Sequence, residues 1–153
     1  MLLIAHVDSV EGSPGADDNA SGVAAVLECA RLLAELPDPP MVRLAFVDME
    51  EMGKVGSRAL ARDRSFRQNL EHVICFESVG TFSSEPDTQK VGVLKFVFPE
   101  AAAEIASNDG RGDFVLAICR RSSRSAADAI RSKASGVAFL SVRSLGQTAW
   151  LGV

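Results

Sequence analysis

Gly15-Ala16-Asp17-Asp18-Asn19-Ala20-Ser21-Gly22 links a short apolar run to the most strongly patterned helical stretch in the chain. Its small residues let the backbone pack tightly, and two adjacent carboxylates are delivered where a helix begins. Asn19 and Ser21 are candidates to accept the orphan N–H groups of the first helical turn. Carboxylates not needed as caps can then face a ligand. By itself an Asp-Asp pair is better accounted for by a solvated, capped loop, because Asp favours turns. The residues on either side decide between the two.

On the N-terminal side, Leu2-Leu3-Ile4-Ala5 is a continuous apolar run of the kind found in buried parallel strands. It ends at His6, which puts an imidazole at the carboxyl end of a strand, the edge where open α/β sheets bind ligands. A histidine in that position is ordinarily a satisfied core residue. Asp8 shifts the balance, since a nearby carboxylate can take the second N–H of a ligating imidazole. On the C-terminal side, Val23, Val26, Leu27, Ala30 and Leu33 recur at the spacing of a core-facing helix. Glu28, Arg31 and Glu35 lie on the other face, and Pro37-Asp38-Pro39-Pro40 ends the helix. A second apolar strand is expected from Val42 to Val47. Strand, helix and strand in this order predict a right-handed βαβ unit in a mostly parallel sheet.

Asp48, Glu50 and Glu51 follow the second strand, again on the carboxyl side of the sheet. Adjacent acids repel, so a Glu-Glu pair beside Gly53 needs either open water or a bound cation. Residues 55–62 read as a short helix whose Gly56 and Ser57 permit close packing near the site. Val73-Ile74-Cys75-Phe76 reads as a third strand running into Glu77. A charge that ends a buried strand is costly unless it is paired, coordinating or at the solvent edge. His72 begins the same strand at the opposite edge of the sheet, so it is left out of the site.

Three blocks carry a resemblance to a known family: Ala5-His6-Val7-Asp8-Ser9-Val10, Ser13 to Ala24, and Asp48-Met49-Glu50-Glu51-Met52-Gly53 with Gly56-Ser57-Arg58. In this order they resemble the co-catalytic zinc aminopeptidases. That superfamily includes bacterial leucyl aminopeptidase, aminopeptidase Y, glutamate carboxypeptidase, glutaminyl cyclase and the transferrin-receptor ectodomain. The close match covers residues 2 to about 80. The resemblance implies that His6, Asp18, Glu51 and Glu77 are metal ligands, with Asp18 bridging two ions. It makes Glu50 the general base and Asp8 the residue that orients His6. It implies Zn2+, two ions per site in the family, and a peptide substrate with a free N-terminus. Family members also carry a further histidine ligand, commonly within Ser-Asp-His, whereas this sequence holds only His6 and His72. One metal position therefore keeps His6, Asp18 and Glu77; the other keeps Asp18 and Glu51 without its histidine. About one zinc is expected here, in a domain incomplete at its C-terminal end.

Beyond Gly80 the pattern weakens. Residues 81–89 resemble a loop that borders the substrate cleft in one bacterial branch of the family. Strands are expected at 91–98, 113–119 and 137–142, and helices at 101–106 and 124–133, the last capped by Ser122 or Ser123. An uncertain tail contains Trp150. Arg111-Gly112-Asp113 is too short a tripeptide to carry meaning, and the basic residues from Arg120 to Lys133 lack the interleaved aromatics of a nucleic-acid surface.

The 153 residues, 47% hydrophobic and 24% charged, suit one soluble globular domain. A net charge of −4 speaks against nucleic acid or an anionic membrane as partner. No apolar run spans a bilayer, and Met1 to Ala5 is too short for a signal peptide, so the chain as written is expected to be cytoplasmic although relatives are often exported. Cys29, Cys75 and Cys119 each sit in an apolar run and are expected to be buried thiols.

The expected fold is a three-layer α/β sandwich with a mostly parallel central sheet, or one mixed at an edge. Residues 1–153 are expected to form a single zinc-peptidase-like catalytic domain. The expected function is zinc-dependent removal of N-terminal residues from peptides. The alternatives are a non-catalytic relative or binding module on the same scaffold, and a single-zinc cyclotransferase resembling glutaminyl cyclase. Glu50-Glu51 fits the hydrolases.

Overall fold

A computed structural model describes residues 1–134, 136 and 138–143 of the chain. The N-terminal apolar run forms β1 (Leu2–His6), every residue of which is buried. β1 is the middle strand of a three-stranded parallel sheet, with both edges paired, between β2 (Arg43–Val47) and β3 (Val73–Cys75). The register sets Leu3 beside Leu44 and Ile74, and His6 beside Val47. β2 lies outermost in this sheet and alternates half-buried with exposed residues, so its apolar sequence is only partly covered.

The helix α1 (Gly22–Ala34) returns the chain from β1 to β2 and packs on the sheet. Val26 is fully buried against Leu3 and Ala5, with Val23, Cys29, Val42, Ile74 and Phe76 around them. The stripe that meets the sheet thus runs Val23–Val26–Cys29, and Leu27, expected on the core face, is 54% exposed. The helix also starts later than its pattern suggested. Ala16–Ser21 form a wide turn with non-helical backbone at Asp18 and Asn19, and regular α-helix begins only at Gly22. The acids therefore precede the helix rather than fill its first turn. On the solvent face, Arg31 bridges Glu28 and Glu35.

After β2 come α2 (Val55–Arg62), as expected, and the short α3 (Arg64–Arg67). Gly56 packs so closely on Asp48 that a Cβ would lie 2.3 Å from the Asp48 carbonyl oxygen. That contact explains the small residue at the start of α2.

The chain divides into two compact units, Met1–Gly80 and Thr81–Val153. In the second, residues 83–89 pair with 109–112 through Ser83 N–H to the Gly112 carbonyl, and through Asp87 and Gln89 N–H to the Asp109 and Gly110 carbonyls. Residues 91–98, expected as a strand, hold instead the helical turn α4 (Leu94–Val97). The Phe96 and Val97 N–H groups bond to the Val93 carbonyl, so local bonds replace a ladder. Pro99 then opens α5 (Pro99–Ser107), where its fixed φ and missing N–H are tolerated. β4 (Phe114–Cys119), α6 (Arg124–Lys133) and β5 (Ala138–Arg143) make a second parallel strand–helix–strand unit. Ser123 holds the N-cap position of α6 but makes no side-chain cap bond. The tail with Trp150 lies outside the described residues.

The fold is α/β and built on parallel strands, as the sequence predicts. Cys29 is half-buried and Cys119 buried, but Cys75 is exposed, because β3 turns Val73 and Cys75 outward while Ile74 faces the core. Among the described residues no helix is long and apolar enough to cross a membrane.

Candidate metal centre

Because β1, β2 and β3 are parallel, the loops that follow them leave from the same edge of the sheet. His6 closes β1, Asp48 to Glu51 follow β2, and Glu77 lies two residues past β3. The turn Ala16–Ser21 brings Asp18 back to that edge. His6 is 2% exposed, and its Nε2 lies 3.0 Å from Asp18 Oδ1 and 3.3 Å from Glu77 Oε1. Both carboxylates remain about half exposed, 54% and 48%. A buried imidazole thus faces two acids at an opening that solvent reaches.

The other ring nitrogen, Nδ1, is 3.0 Å from the Asp8 carbonyl oxygen and 3.3 Å from Asp8 Oδ1. The same Asp8 carboxylate accepts the backbone N–H groups of Glu50 at 3.0 Å and Glu51 at 3.1 Å. Asp8 therefore ties β1 to the loop after β2 as well as touching His6. Met49 in that loop has φ of 57°, a conformation rarely adopted outside glycine, where the chain turns to present those two N–H groups. Glu50 and Lys54 approach to 3.7 Å.

The charges follow from this geometry. Burial alone would lower the His6 pKa, but the hydrogen bond and charge of Glu77, with the charges of Glu50 and Asp18, outweigh it and raise the value. Glu77 is pushed up, first by burial and then by Asp18, against the opposing pull of His6. Burial works against the Asp8 anion too, yet the N–H bonds from Glu50 and Glu51 prevail and lower its pKa.

Among the described residues, two groupings of three side chains bring possible ligand atoms within 4.8 Å of one another: His6, Asp18 and Glu77, and His6, Glu50 and Glu51. All five candidates, with Asp8, meet at one edge. The first grouping carries two carboxylates against a single imidazole, an excess of negative charge at an accessible opening. That mixed nitrogen and oxygen donor set fits a divalent cation of the kind the resemblance implies. Neither grouping joins Asp18 to Glu51. His72 precedes β3 at the opposite end of the strand, where its carbonyl accepts the Leu2 N–H.

One residue has a larger part than its sequence signal. Asn19 is 2% exposed, and its amide reaches across to Phe76 and Glu77, the two residues that follow β3. The sequence marked it only as a local cap, a role it also fills by accepting the Gly22 N–H at 3.1 Å.

A parallel α/β sheet whose carboxyl edge gathers a buried histidine and several acids defines a protein with a candidate cation site at the end of its strands. The chain belongs to peptidase family M28, whose family model matches residues 1–150. It is 44% identical over 57 residues to aminopeptidase YwaD of Bacillus subtilis, covering 37% of this chain and 12% of that protein. It is 54% identical over 55 residues to the probable lipoprotein aminopeptidase LpqL of Mycobacterium tuberculosis, covering 35% and 11%. An aminopeptidase of Pseudomonas aeruginosa is 53% identical over 83 residues, covering 53% and 16%. The matched stretches are thus a small part of those relatives' own lengths. No solved structure matches the chain.

Proposed function

We propose that this chain is the metal-binding part of an aminopeptidase that hydrolyses N-terminal peptide bonds, and that residues 1–153 belong to one catalytic domain. The observation that carries the reading is the His6 imidazole, held within 3.0 and 3.3 Å of the Asp18 and Glu77 carboxylates at the ligand-binding edge of the sheet. The family match over residues 1–150 spans both compact units and supports the single domain.

In this reading His6, Asp18 and Glu77 hold Zn2+, and Glu51 supplies a carboxylate for a second position. Zinc bound there supplies Lewis acidity toward the scissile carbonyl and the attacking water. Asp8 fixes the His6 ring through Nδ1 and holds the Glu50–Glu51 backbone in place. Glu50, although its carboxylate lies within ligand distance of His6 and Glu51, is assigned the proton of the attacking water, a role that suits a carboxylate beside the metal. The open side of the site admits a peptide with a free N-terminus.

The test uses two variants of the purified chain. Glu50→Gln should abolish hydrolysis of aminoacyl anilides and leave zinc affinity nearly unchanged. Asp18→Ala should abolish both. Equal loss of metal in the two variants would show that base and ligand have been confused.

A second reading, a cation-binding relative without turnover, is favoured by one observation. Both groupings draw on the same imidazole, so a second ion would rest on carboxylates alone. Wild-type chain that holds zinc yet leaves the anilides intact would select it.

A further inference from the structure

The residues that alternate with Asp18 turn to a different task. Asp17 Oδ1 accepts the Gly80 N–H at 2.7 Å, and Ser21 Oγ accepts the Val79 N–H at 3.0 Å while donating to the Asp17 carbonyl. Between them, Asn19 Oδ1 accepts the Ser78 N–H at 3.3 Å as well as the Gly22 N–H. Asn19 Nδ2 donates to the Phe76 carbonyl at 2.9 Å and lies 3.5 Å from Glu77 Oε2. Three consecutive backbone N–H groups, of residues 78, 79 and 80, are thus received by side chains at 19, 21 and 17. Gly22 has no room for a side chain: a Cβ there would lie 2.2 Å from Asn19 Oδ1 and 2.8 Å from the Phe76 carbonyl.

We propose that Asn19 is a positioning residue for the cation site, the buried centre of a clasp with Asp17 and Ser21 that sets the separation of the Asp18 and Glu77 carboxylates. This rests on the reading of His6, Asp18 and Glu77 as one cation site. Asp18 and Glu77 lie on separate loops, 59 residues apart in sequence, and half-exposed carboxylates have many rotamers. Two loops that move independently present a poor ligand pair. The clasp removes that freedom on both sides at once. Its central amide also donates toward the Glu77 oxygen that His6 does not touch, which orients the carboxylate. A neutral amide is required here, because it must accept from N–H groups on one side and donate to a carbonyl and a carboxylate on the other. Partners that orient metal ligands without touching the metal commonly contribute 10- to 100-fold to affinity.

The experiment measures Zn2+ affinity by chelator competition and the visible absorption of the Co2+ form, on the purified 153-residue chain. Asn19→Asp keeps the shape and the acceptor oxygen but sets an oxygen against the Phe76 carbonyl and Glu77. It should weaken Zn2+ binding about 10- to 100-fold and change the Co2+ spectrum at a temperature where circular dichroism shows it folded. Ser21→Ala, at a less buried position, should weaken binding several-fold, and Ser21→Thr should restore it. Asp18→Ala serves as the ligand-loss control. Should Asn19→Asp fail to fold, the Ser21 pair decides. Unchanged or tighter Zn2+ binding and an unchanged Co2+ spectrum in folded Asn19→Asp, or in Ser21→Ala, would overturn the proposal while leaving the site reading intact. Failure of the wild-type chain to bind Zn2+ would overturn both.

Discussion

Asp8 shows how much one side chain decides at this site. Its carboxylate is mostly buried, receives two backbone N–H groups from the loop after β2, and lies against the His6 ring. Asp8→Ala would leave those two donors without their acceptor. The expected cost is about 1–3 kcal/mol of stability, the usual penalty for an unsatisfied buried group, read from urea denaturation. Asp8→Asn, which keeps one acceptor oxygen, should lose less. If the Asp8 carboxylate serves only solubility, both variants would match the wild type. Val26 offers a contrast, since it has no polar role. It is fully buried between α1 and β1, and Val26→Ala should cost about 1–3 kcal/mol through lost burial and an unfilled space.

At the scale of elements, helix starts deserve the closest comparison. α3 is only four residues long, and it exists because Asp63 caps it. The Asp63 carboxylate accepts from Ser65 N–H at 2.8 Å, Phe66 N–H at 3.3 Å and the Ser65 hydroxyl at 2.6 Å. Those bonds, led by the Ser65 hydroxyl, lower the Asp63 pKa. A carboxylate whose folded pKa lies below its unfolded value stabilises the fold above the unfolded value and ceases to do so as pH falls through the folded one. Asp63→Ala should therefore lower Tm at neutral pH. Its difference from wild type should shrink on acidification, as thermal melts at a series of pH values would reveal. A difference that is constant with pH would count against the cap. α1 begins by another device, the wide turn closed by Gly22. Gly22→Ala should disrupt both the helix start and zinc binding, because the added methyl meets Asn19 and the Phe76 carbonyl rather than open space.

For the molecule as a whole, the cation count and the sheet edges matter most. With one imidazole serving both groupings, dialysed chain should retain about one zinc, and a second dication should bind weakly because it meets carboxylates alone and repulsion from the first. Metal analysis paired with an anilide assay tests this; two tightly held zincs with robust turnover would refute it. In the Met1–Gly80 unit, β2 is outermost, with Leu44 and Phe46 37% and 43% exposed. Outer strands with apolar side chains invite pairing between molecules. Phe46→Lys should reduce light scattering of concentrated chain relative to wild type.

Much of this protein was readable in one dimension. A central strand with both edges paired and its residues buried carries apolar side chains throughout, so β1 shows as an unbroken apolar run, and parallel strands joined by a helix send their following loops to one edge. With the turn Ala16–Ser21, that collects His6, Asp18, Glu50, Glu51 and Glu77 in one place. α1 was legible in its helical periodicity, and α2, β4, β5 and α6 in local composition, because each signal lies within its own segment. What sequence could not supply were facts that depend on a partner distant along the chain. Leu27 and Cys29 are both apolar enough for a core, and only the seat of α1 on β1 decided which faces inward. Residues 91–98 are apolar enough for a strand, but a strand needs a neighbour; among the described residues they have none, and the backbone bonds locally into α4. Asn19 looks like any helix cap until its amide is seen reaching 57 residues onward to Phe76. Periodicity and charge are properties of a segment and survive in the sequence; hydrogen-bond partners and exposure are properties of pairs of segments, and only packing assigns them.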